Sequence, residues 1–125
     1  MATRALKAGF FLGILYHLKN PFYALESMAK VSNYALMSTR IARFAPDRKS
    51  RIEDLPVAYL VNTSECNNDA TNFWIFSDTG LKRILDRTGW EILDYMRYGN
   101  LTKSDPASQE GDERVFLLAR SRVNF

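Results

Sequence analysis

The sequence predicts a mixed α/β fold, and three observations support this prediction. Apolar runs without helical spacing alternate with two segments whose apolar residues recur every three or four positions. A strand, a helix and a second strand fit into about thirty residues, which is the size of a βαβ unit with parallel strands. The chain ends with two strand-like segments that have no helix between them.

The first predicted strand lies at residues 10–16, a continuous apolar run of the kind found in strands covered on both faces. Asn20 then begins a helix, because an Asn side chain accepts a free backbone N–H at a helix start. Pro21 suits the first helical position, where its missing N–H is not needed. The predicted apolar face of this helix comprises Phe22, Leu25, Met28 and Ala29, and Asn33 is the expected stop.

The middle of the chain is more polar. Residues 34–39 predict the second strand, residues 40–54 a charged loop, and residues 56–61 a short extended piece. Residues 65–76 mix Asn and Asp with aromatic side chains, and this composition predicts an irregular loop.

The last third predicts a helix and two strands. Ser77 caps the helix, whose apolar face comprises Leu81, Ile84 and Leu85. Gly89 supplies the left-handed residue that follows a helix end. Strands are expected at residues 90–98 and 114–119, with a polar loop at 99–113. Since no helix joins them, these two strands must be antiparallel.

Composition restricts the function classes. The 125 residues suffice for one core and carry a net charge of +3, far below the dense basic surface of a dedicated nucleic-acid binder. The chain has one cysteine, Cys66, and one histidine, His17, which exclude a disulfide framework and a His-cluster metal site. No metal is predicted. We expect a cytoplasmic protein in a reducing compartment, without a membrane span.

Basic residues between Arg40 and Arg51 form the densest positive stretch. Asp47, Glu53 and Asp54 dilute it, and a solvated surface loop is therefore favoured over an RNA site.

Two places concentrate possible chemistry. Residues 13–21 lie at the carboxyl end of the first strand, where open α/β sheets bind ligands, and there Tyr16 and His17 offer a ring face, a hydroxyl and a titratable nitrogen. The alternative is that both residues only close a turn. Residues 65–74 combine amide, carboxylate and aromatic groups that suit a small polar ligand, or that form a self-bonded loop pinned by Phe73 and Trp74. Cys66 has no base or second thiol nearby, which indicates a structural role.

Several of these sequence segments resemble a known protein family. Residues 11–21, followed by 24–26, resemble the fourth strand and following helix of class I S-adenosylmethionine-dependent methyltransferases, in particular the tRNA wobble-uridine carboxymethyltransferase-like group. Residues 66–74, 77–90 and 113–122 resemble later segments of that group in the same order. The resemblance covers a single domain, residues 1–125, of which 1–5 form an unassigned tail.

The resemblance implies the carboxyl-terminal half of a Rossmann-like sheet. The family sheet has strand order 3-2-1-4-5-7-6, and this chain supplies strands 4, 5, 7 and 6 with an antiparallel final hairpin. Strands 1–3 have no counterpart here. The glycine-rich loop, the ribose carboxylate and the adenine loop that hold the cofactor are lacking with them.

The implied activity is transfer of a methyl or carboxymethyl group from S-adenosylmethionine to a small-molecule or tRNA acceptor that the sequence does not identify. We expect the chain alone to be inactive and to bind the cofactor poorly. The resemblance assigns Gly13 and Tyr16 to the cofactor and His17 to proton transfer. It assigns to the substrate side Arg40, Asn67, Asn68, Asp69, Asn72 and Trp74.

Two other functions are compatible with the sequence. One is a non-catalytic binding or assembly module that completes a sheet with a partner, and the other is an RNA-associated protein. Without strand 1, the strand at residues 10–16 would have an unpaired edge, which favours a homodimer or a partner chain there.

Overall fold

The computed structural model describes residues 6–66 and 68–124. Its strands are β1 (Ala8–Leu12), β2 (Tyr34–Ala42), β3 (Ala58–Leu60), β4 (Trp74–Ser77), β5 (Trp90–Gly99) and β6 (Glu113–Ser121). Its α-helices are α1 (Pro21–Val31) and α2 (Asp78–Arg87), and a short 3-10 turn spans Leu15–His17. The predicted site residue Asn67 and the tail at 1–5 lie outside the described residues.

Strand β2 is the centre of the mixed sheet. On one side it pairs in parallel with β1 along its first half and with β4 at its last two residues. On the other side it pairs antiparallel with β6, which pairs antiparallel with β5. The predicted parallel β1–α1–β2 unit and the predicted antiparallel final pair are both confirmed.

Both predicted helix starts are confirmed. The Asn20 side chain accepts the backbone N–H of Tyr23 at 3.4 Å, and the Ser77 hydroxyl accepts that of Gly80 at 2.8 Å. Gly89 has a φ of +95°, the left-handed conformation expected after α2.

The first strand was predicted wrongly in both extent and burial. It spans Ala8–Leu12 rather than residues 10–16, because Gly13 adopts a φ of +68° and turns the chain into the 3-10 turn. Its side chains alternate between buried and exposed, and Phe10 is 60% exposed. The strand is therefore covered on one face only.

Two further differences from the prediction affect the site and the sheet. Strand β2 continues to Ala42, which moves Arg40 from the predicted loop into the strand. Strand β4 lies within the segment predicted as irregular. It forms by pairing with β2 and β3, and residues 65–76 alone carry no signal of those distant partners.

The core lies between the two helices and one face of the sheet. Leu25 and Ala29 of α1, and Leu81 and Leu85 of α2, pack against a sheet face that includes Met37. Trp90 is buried there, and its indole N–H donates to the Leu25 carbonyl at 3.1 Å. Burial of such side chains supplies most of the stabilisation, about 1.5–3 kcal/mol each.

One part of the opposite sheet face is exposed and mostly apolar, whereas the loop before β6 covers the part at Arg40. Strand register aligns the side chains of the exposed part in two rows across β1, β2, β6 and β5, which also contain Ser38 and Asp94. We call this surface the open face and define it by Phe10, Leu12, Leu36, Met96, Phe116 and Leu118. Phe10, Leu12, Met96 and Phe116 are exposed, whereas Leu36 and Leu118 are partly buried.

Glu113 anchors a buried ion-pair network beneath the start of α2. Its fully buried carboxylate accepts hydrogen bonds from Arg43 Nε at 2.9 Å, Arg97 Nε at 2.9 Å and the Ser104 hydroxyl at 2.7 Å. Arg97 also donates to Glu53 at 2.9 Å.

The basic stretch divides into two parts. Arg40 is buried, Arg43 belongs to the Glu113 network, and Arg48 donates to Asp105 at 2.8 Å, so these three are not free in solvent as predicted. Lys49 and Arg51 are exposed, as a surface loop requires. The partners of Arg43 and Arg48 are the first residue of β6 and the loop before it, which are far away in sequence, whereas Arg51 pairs with the nearby carboxylates of Glu53 and Asp54. Among the described residues, no helix has the length and apolar character needed to cross a membrane.

Candidate functional site

A polar cleft of about 140 Å³ lies where β1 and β2 end. Because these strands are parallel, their carboxyl ends meet at one edge of the sheet. The cleft brings together five of the residues that the resemblance singled out and adds Cys66 and Arg114; the five are Tyr16, His17, Arg40, Asp69 and Asn72.

Arg40 forms the floor of the cleft. It lies on β2 directly opposite Arg114 of β6, so both side chains leave the same face of the sheet. The loop before β6 folds over Arg40, whose NH2 group donates to the backbone carbonyls of Asp105 and Ser108. Only 4% of Arg40 remains exposed.

Tyr16 and Arg114 form one wall. Arg114 donates to the Tyr16 hydroxyl at 3.1 Å, and its guanidinium carbon lies 5.4 Å from the centre of the Tyr16 ring. Asp112 accepts from Arg114 at 3.2 Å and lies 3.8 Å from Arg40 Nε. Tyr16 therefore already contacts a cation of the protein itself.

His17 has a defined tautomer in its neutral form. Its Nδ1 lies 2.9 Å from the Thr71 backbone carbonyl, which can only accept, so Nδ1 carries the proton. The Nε2 atom then has a free lone pair, and His17 can accept a proton from a group bound in the cleft. The Tyr16 ring, whose centre lies 4.3 Å from the His17 ring centre, supports this orientation.

The loop between β3 and β4 supplies the remaining wall. Asp69 Oδ1 accepts hydrogen bonds from the hydroxyl of Thr71 at 2.6 Å and from its backbone N–H at 2.9 Å, and these bonds lower the pKa of Asp69. Asn72 donates to the Cys66 carbonyl at 3.2 Å. The Cys66 thiol donates to the Pro106 carbonyl at 3.0 Å, and burial raises its pKa, in keeping with the predicted structural role.

Two buried polar atoms of the cleft residues have no hydrogen-bond partner among the described residues. They are Arg40 Nε, a donor, and Asn72 Oδ1, an acceptor. Buried polar groups in folded proteins are nearly always hydrogen-bonded, so an unpaired donor and an unpaired acceptor at one cleft indicate a site for a polar guest.

The charges around the cleft cancel. Arg40, Arg114 and Asp69 line the cleft, and Asp112, which lies behind the lining, is within 4 Å of both arginines and supplies the second negative charge. Among the residues that the structure describes, no three His, Cys, Asp or Glu side chains converge as metal ligands would.

Three predicted site residues do not line the cleft. Gly13 lies just before it, and apart from its two chain neighbours no described residue comes within 4 Å of the position where a Cβ would be. Asn68 is exposed in the β3–β4 loop, and the Trp74 indole N–H donates to the Lys19 carbonyl at 3.1 Å. Their roles stay predictions, as does that of Asn67.

The sequence interpretation missed Arg114 as a site residue. The alternation along β6 gave the available signal, since Arg114 and exposed Phe116 lie two positions apart on one strand face. Its pairing with Arg40 depends on a register between strands more than seventy residues apart, which no local pattern reveals.

Comparison with known proteins relates the fold to one class of structures. The chain matches the N-terminal domain of EvdMO1, determined in the presence of SAH and D-fucose, with a TM-score of 0.60, 18% identity, and coverage of 93% of this chain and 47% of that one. An SAH-bound structure of the same domain matches with a TM-score of 0.57, 17% identity, and coverage of 92% and 45%. The fold is methyltransferase-like.

A third structure extends the comparison. BH2331 of Bacillus halodurans C-125, named as a candidate methyltransferase, matches with a TM-score of 0.61, 10% identity, and coverage of 99% of this chain and 74% of that one. The chain thus spans about half the length of the EvdMO1 chains. No family model matches the sequence, and no curated protein matches it significantly.

Proposed function

We propose that this chain forms the acceptor-binding part of an S-adenosylmethionine-dependent methyltransferase. The observation that supports this best is the polar cleft at the carboxyl ends of β1 and β2, in a fold shared with structures determined with SAH. Ligands of open α/β sheets bind at this end of the strands. The acceptor classes that we propose are a small molecule or a tRNA nucleoside of the wobble-uridine type.

In this proposal β1, β2, β6 and β5 correspond to strands 4, 5, 7 and 6 of the methyltransferase sheet. The observed neighbours of β2 and β6, with β6 antiparallel, support this correspondence. The sequence has no G-x-G-x-x-G loop, and the chain spans about half of the EvdMO1 chains. We therefore assign the parts that hold the cofactor's methionine, ribose and adenine to polypeptide other than these residues.

The residues present fit one side of such a cofactor. The space over Gly13 is open, which lets a ligand approach the backbone closely, and Tyr16 follows it at the cleft wall. When bound, S-adenosylmethionine would supply an electrophilic methyl group. The chain's own residues would orient the acceptor through Arg40, Asn72 and Arg114, and His17 Nε2 would take the acceptor's proton.

A titration with SAH tests this assignment. Lacking two or more charge-assisted contacts, each worth about 1.5–3 kcal/mol, the chain should bind at least ~100-fold more weakly than a complete site. We expect a dissociation constant above ~100 µM by calorimetry. At millimolar SAH, amide NMR shifts should change at Gly13 and Tyr16 but not in β3. Low-micromolar binding would overturn the half-site assignment, and unchanged shifts at Gly13 would overturn the methyltransferase assignment.

The open face supports a second candidate function, a non-catalytic module that completes a sheet with a partner chain. Among the described strands, β1 pairs only with β2, and its exposed Phe10 and Leu12 continue the apolar surface. Co-purification of the chain with a polypeptide that carries a glycine-rich loop would favour the enzyme. A stable complex with a chain that lacks such a loop would favour the module.

A further inference from the structure

We propose that the cleft binds a neutral ligand through its hydroxyl groups, so that the acceptor is a polyhydroxylated molecule of the carbohydrate class. This inference rests on the proposed function for its catalytic meaning, but it concerns binding alone. It follows from the unpaired atoms, the charge balance, the histidine tautomer and the size of the cleft.

The two unpaired atoms require opposite partners. Arg40 Nε needs an acceptor, and Asn72 Oδ1 needs a donor. A hydroxyl is the smallest common group that both accepts and donates. A carboxylate or phosphate would satisfy Arg40 but would leave the Asn72 oxygen facing another acceptor, which costs free energy in a buried site.

The charges near the cleft also favour a neutral ligand. Arg114 is already paired with Asp112 and with the Tyr16 hydroxyl, and the Arg40 NH2 group is used by two backbone carbonyls. Asp69 adds a negative charge to the lining. Because Asp112 contacts both arginines from behind the lining, no excess positive charge remains to attract an anion, and a neutral ligand is favoured.

His17 gives one of the bound hydroxyls a chemical role. Its Nε2 lone pair can accept a hydrogen bond from a hydroxyl in the cleft, while the Thr71 carbonyl keeps the proton on Nδ1. This arrangement suits a hydroxyl that must lose its proton as its oxygen becomes a nucleophile.

The cleft volume limits the ligand's size. At about 30 Å³ per water molecule, 140 Å³ corresponds to roughly five waters. That space holds roughly five non-hydrogen atoms, so one edge of a sugar ring or polyol, with its neighbouring hydroxyls, would enter the cleft. The rest of the molecule would lie outside it.

Matched neutral and acidic sugars test the inference. D-galactose and D-galacturonate, D-glucose and D-glucuronate, and myo-inositol with inorganic phosphate are titrated to 100 mM against the ¹⁵N-labelled chain. We expect the neutral members to shift the Arg40 Nε–H and Asn72 side-chain signals with millimolar affinity. The acidic members should bind at least about fivefold more weakly, because the cleft offers no unpaired positive charge.

Variants separate binding in the cleft from binding elsewhere. Asn72→Ala should weaken binding of the neutral sugars about tenfold, which is the effect of one lost hydrogen bond to a buried partner. Asn62→Ala, at an exposed position of the same loop region, should leave the affinity for these sugars unchanged. His17→Gln should keep binding within about threefold, since its amide can still hydrogen-bond a hydroxyl.

Two outcomes would overturn the proposal. Stronger binding of the uronates or phosphate would make the cleft an anion site, and no shift with any probe would mean that water alone fills it. No cofactor is present in these titrations. A failure here therefore leaves the SAH result intact, and a failure with SAH leaves this result intact.

Discussion

Glu113 shows how much one buried residue holds together in this fold. Its carboxylate forms ion pairs with Arg43 and Arg97, each about a fifth exposed, and accepts a hydrogen bond from the Ser104 hydroxyl. Replacing it by Gln keeps the shape but removes the fully buried carboxylate that both guanidinium groups share, so that Glu53 is left near both and Asp78 near Arg97. Breaking such a pair costs about 3–5 kcal/mol, and partial exposure of both arginines favours the lower end.

We therefore expect Glu113→Gln to lower the free energy of unfolding by about 3 kcal/mol in urea denaturation. Glu110→Gln is the matched control, since Glu110 is 82% exposed and forms only a 3.5 Å ion pair with Arg48. The control should change stability by less than ~0.5 kcal/mol. Equal effects of the two substitutions would contradict the role assigned to Glu113.

The Asp105 carboxyl makes the stability of the fold depend on pH. Burial alone would raise its pKa, but hydrogen bonds from Ser108, Arg48 and the backbone N–H groups of Ala107 and Ser108 outweigh burial and lower it. A carboxyl whose pKa is lowered in the folded state stabilises the protein above its unfolded pKa. That stabilisation is lost as the pH falls through the lowered folded value.

Asp105→Asn should thus be less stable than the wild type at pH 7, and the difference should shrink as the pH drops below 3.8, the ordinary pKa of the group. Unfolding curves at pH 7, 5, 4 and 3 measure this. A difference that stays constant down to pH 3 would show that Asp105 does not titrate in the way described.

The N-terminal caps of the two helices, α1 and α2, differ in strength. Ser77 accepts the Gly80 N–H at 2.8 Å and donates to carbonyls of the segment before β3, whereas Asn20 makes one exposed bond of 3.4 Å. We expect Ser77→Ala to cost about 2 kcal/mol and Asn20→Ala about 0.5 kcal/mol in thermal unfolding. A reversed order would contradict this ranking.

These helix starts were predictable because each depends on a few consecutive residues. Strand β4 was not, because Trp74 to Ser77 become a strand only through pairing with β2 and β3. The site divides in the same way. Tyr16 and His17 could be placed near the carboxyl end of the first strand from sequence, although that strand ends at Leu12, but Arg114 reaches the cleft through the register of β6 on β2. The sequence therefore indicated features that depend on neighbouring residues, but not the pairing of strands that are far apart in the chain.

For the whole molecule, the open face predicts how the isolated chain behaves. Phe10, Leu12, Met96 and Phe116 are exposed apolar side chains on this face, and Phe10 and Leu12 lie on β1 at its outer edge. Exposed apolar patches next to unpaired strand edges promote association. We expect the isolated chain to form dimers or larger species at high concentration in light scattering.

Leu12→Lys should shift this equilibrium toward the monomer, because a charge on the patch resists burial. Lys19→Ala, an exposed change away from the open face, is the control. A strictly monomeric wild-type chain at millimolar concentration would argue against association through this surface.

The central position of β2 also determines when the sheet can be completed. Its long antiparallel ladder is with β6, so Tyr34 pairs with Arg120 and Ile41 with Glu113. Such non-local pairs require closure of large loops before any contact stabilises them, and topologies rich in them fold slowly. During synthesis, β1, α1 and β2 must wait for nearly the whole described chain before β6 arrives. The apolar face of that early βαβ unit is then the surface most in need of protection by a chaperone.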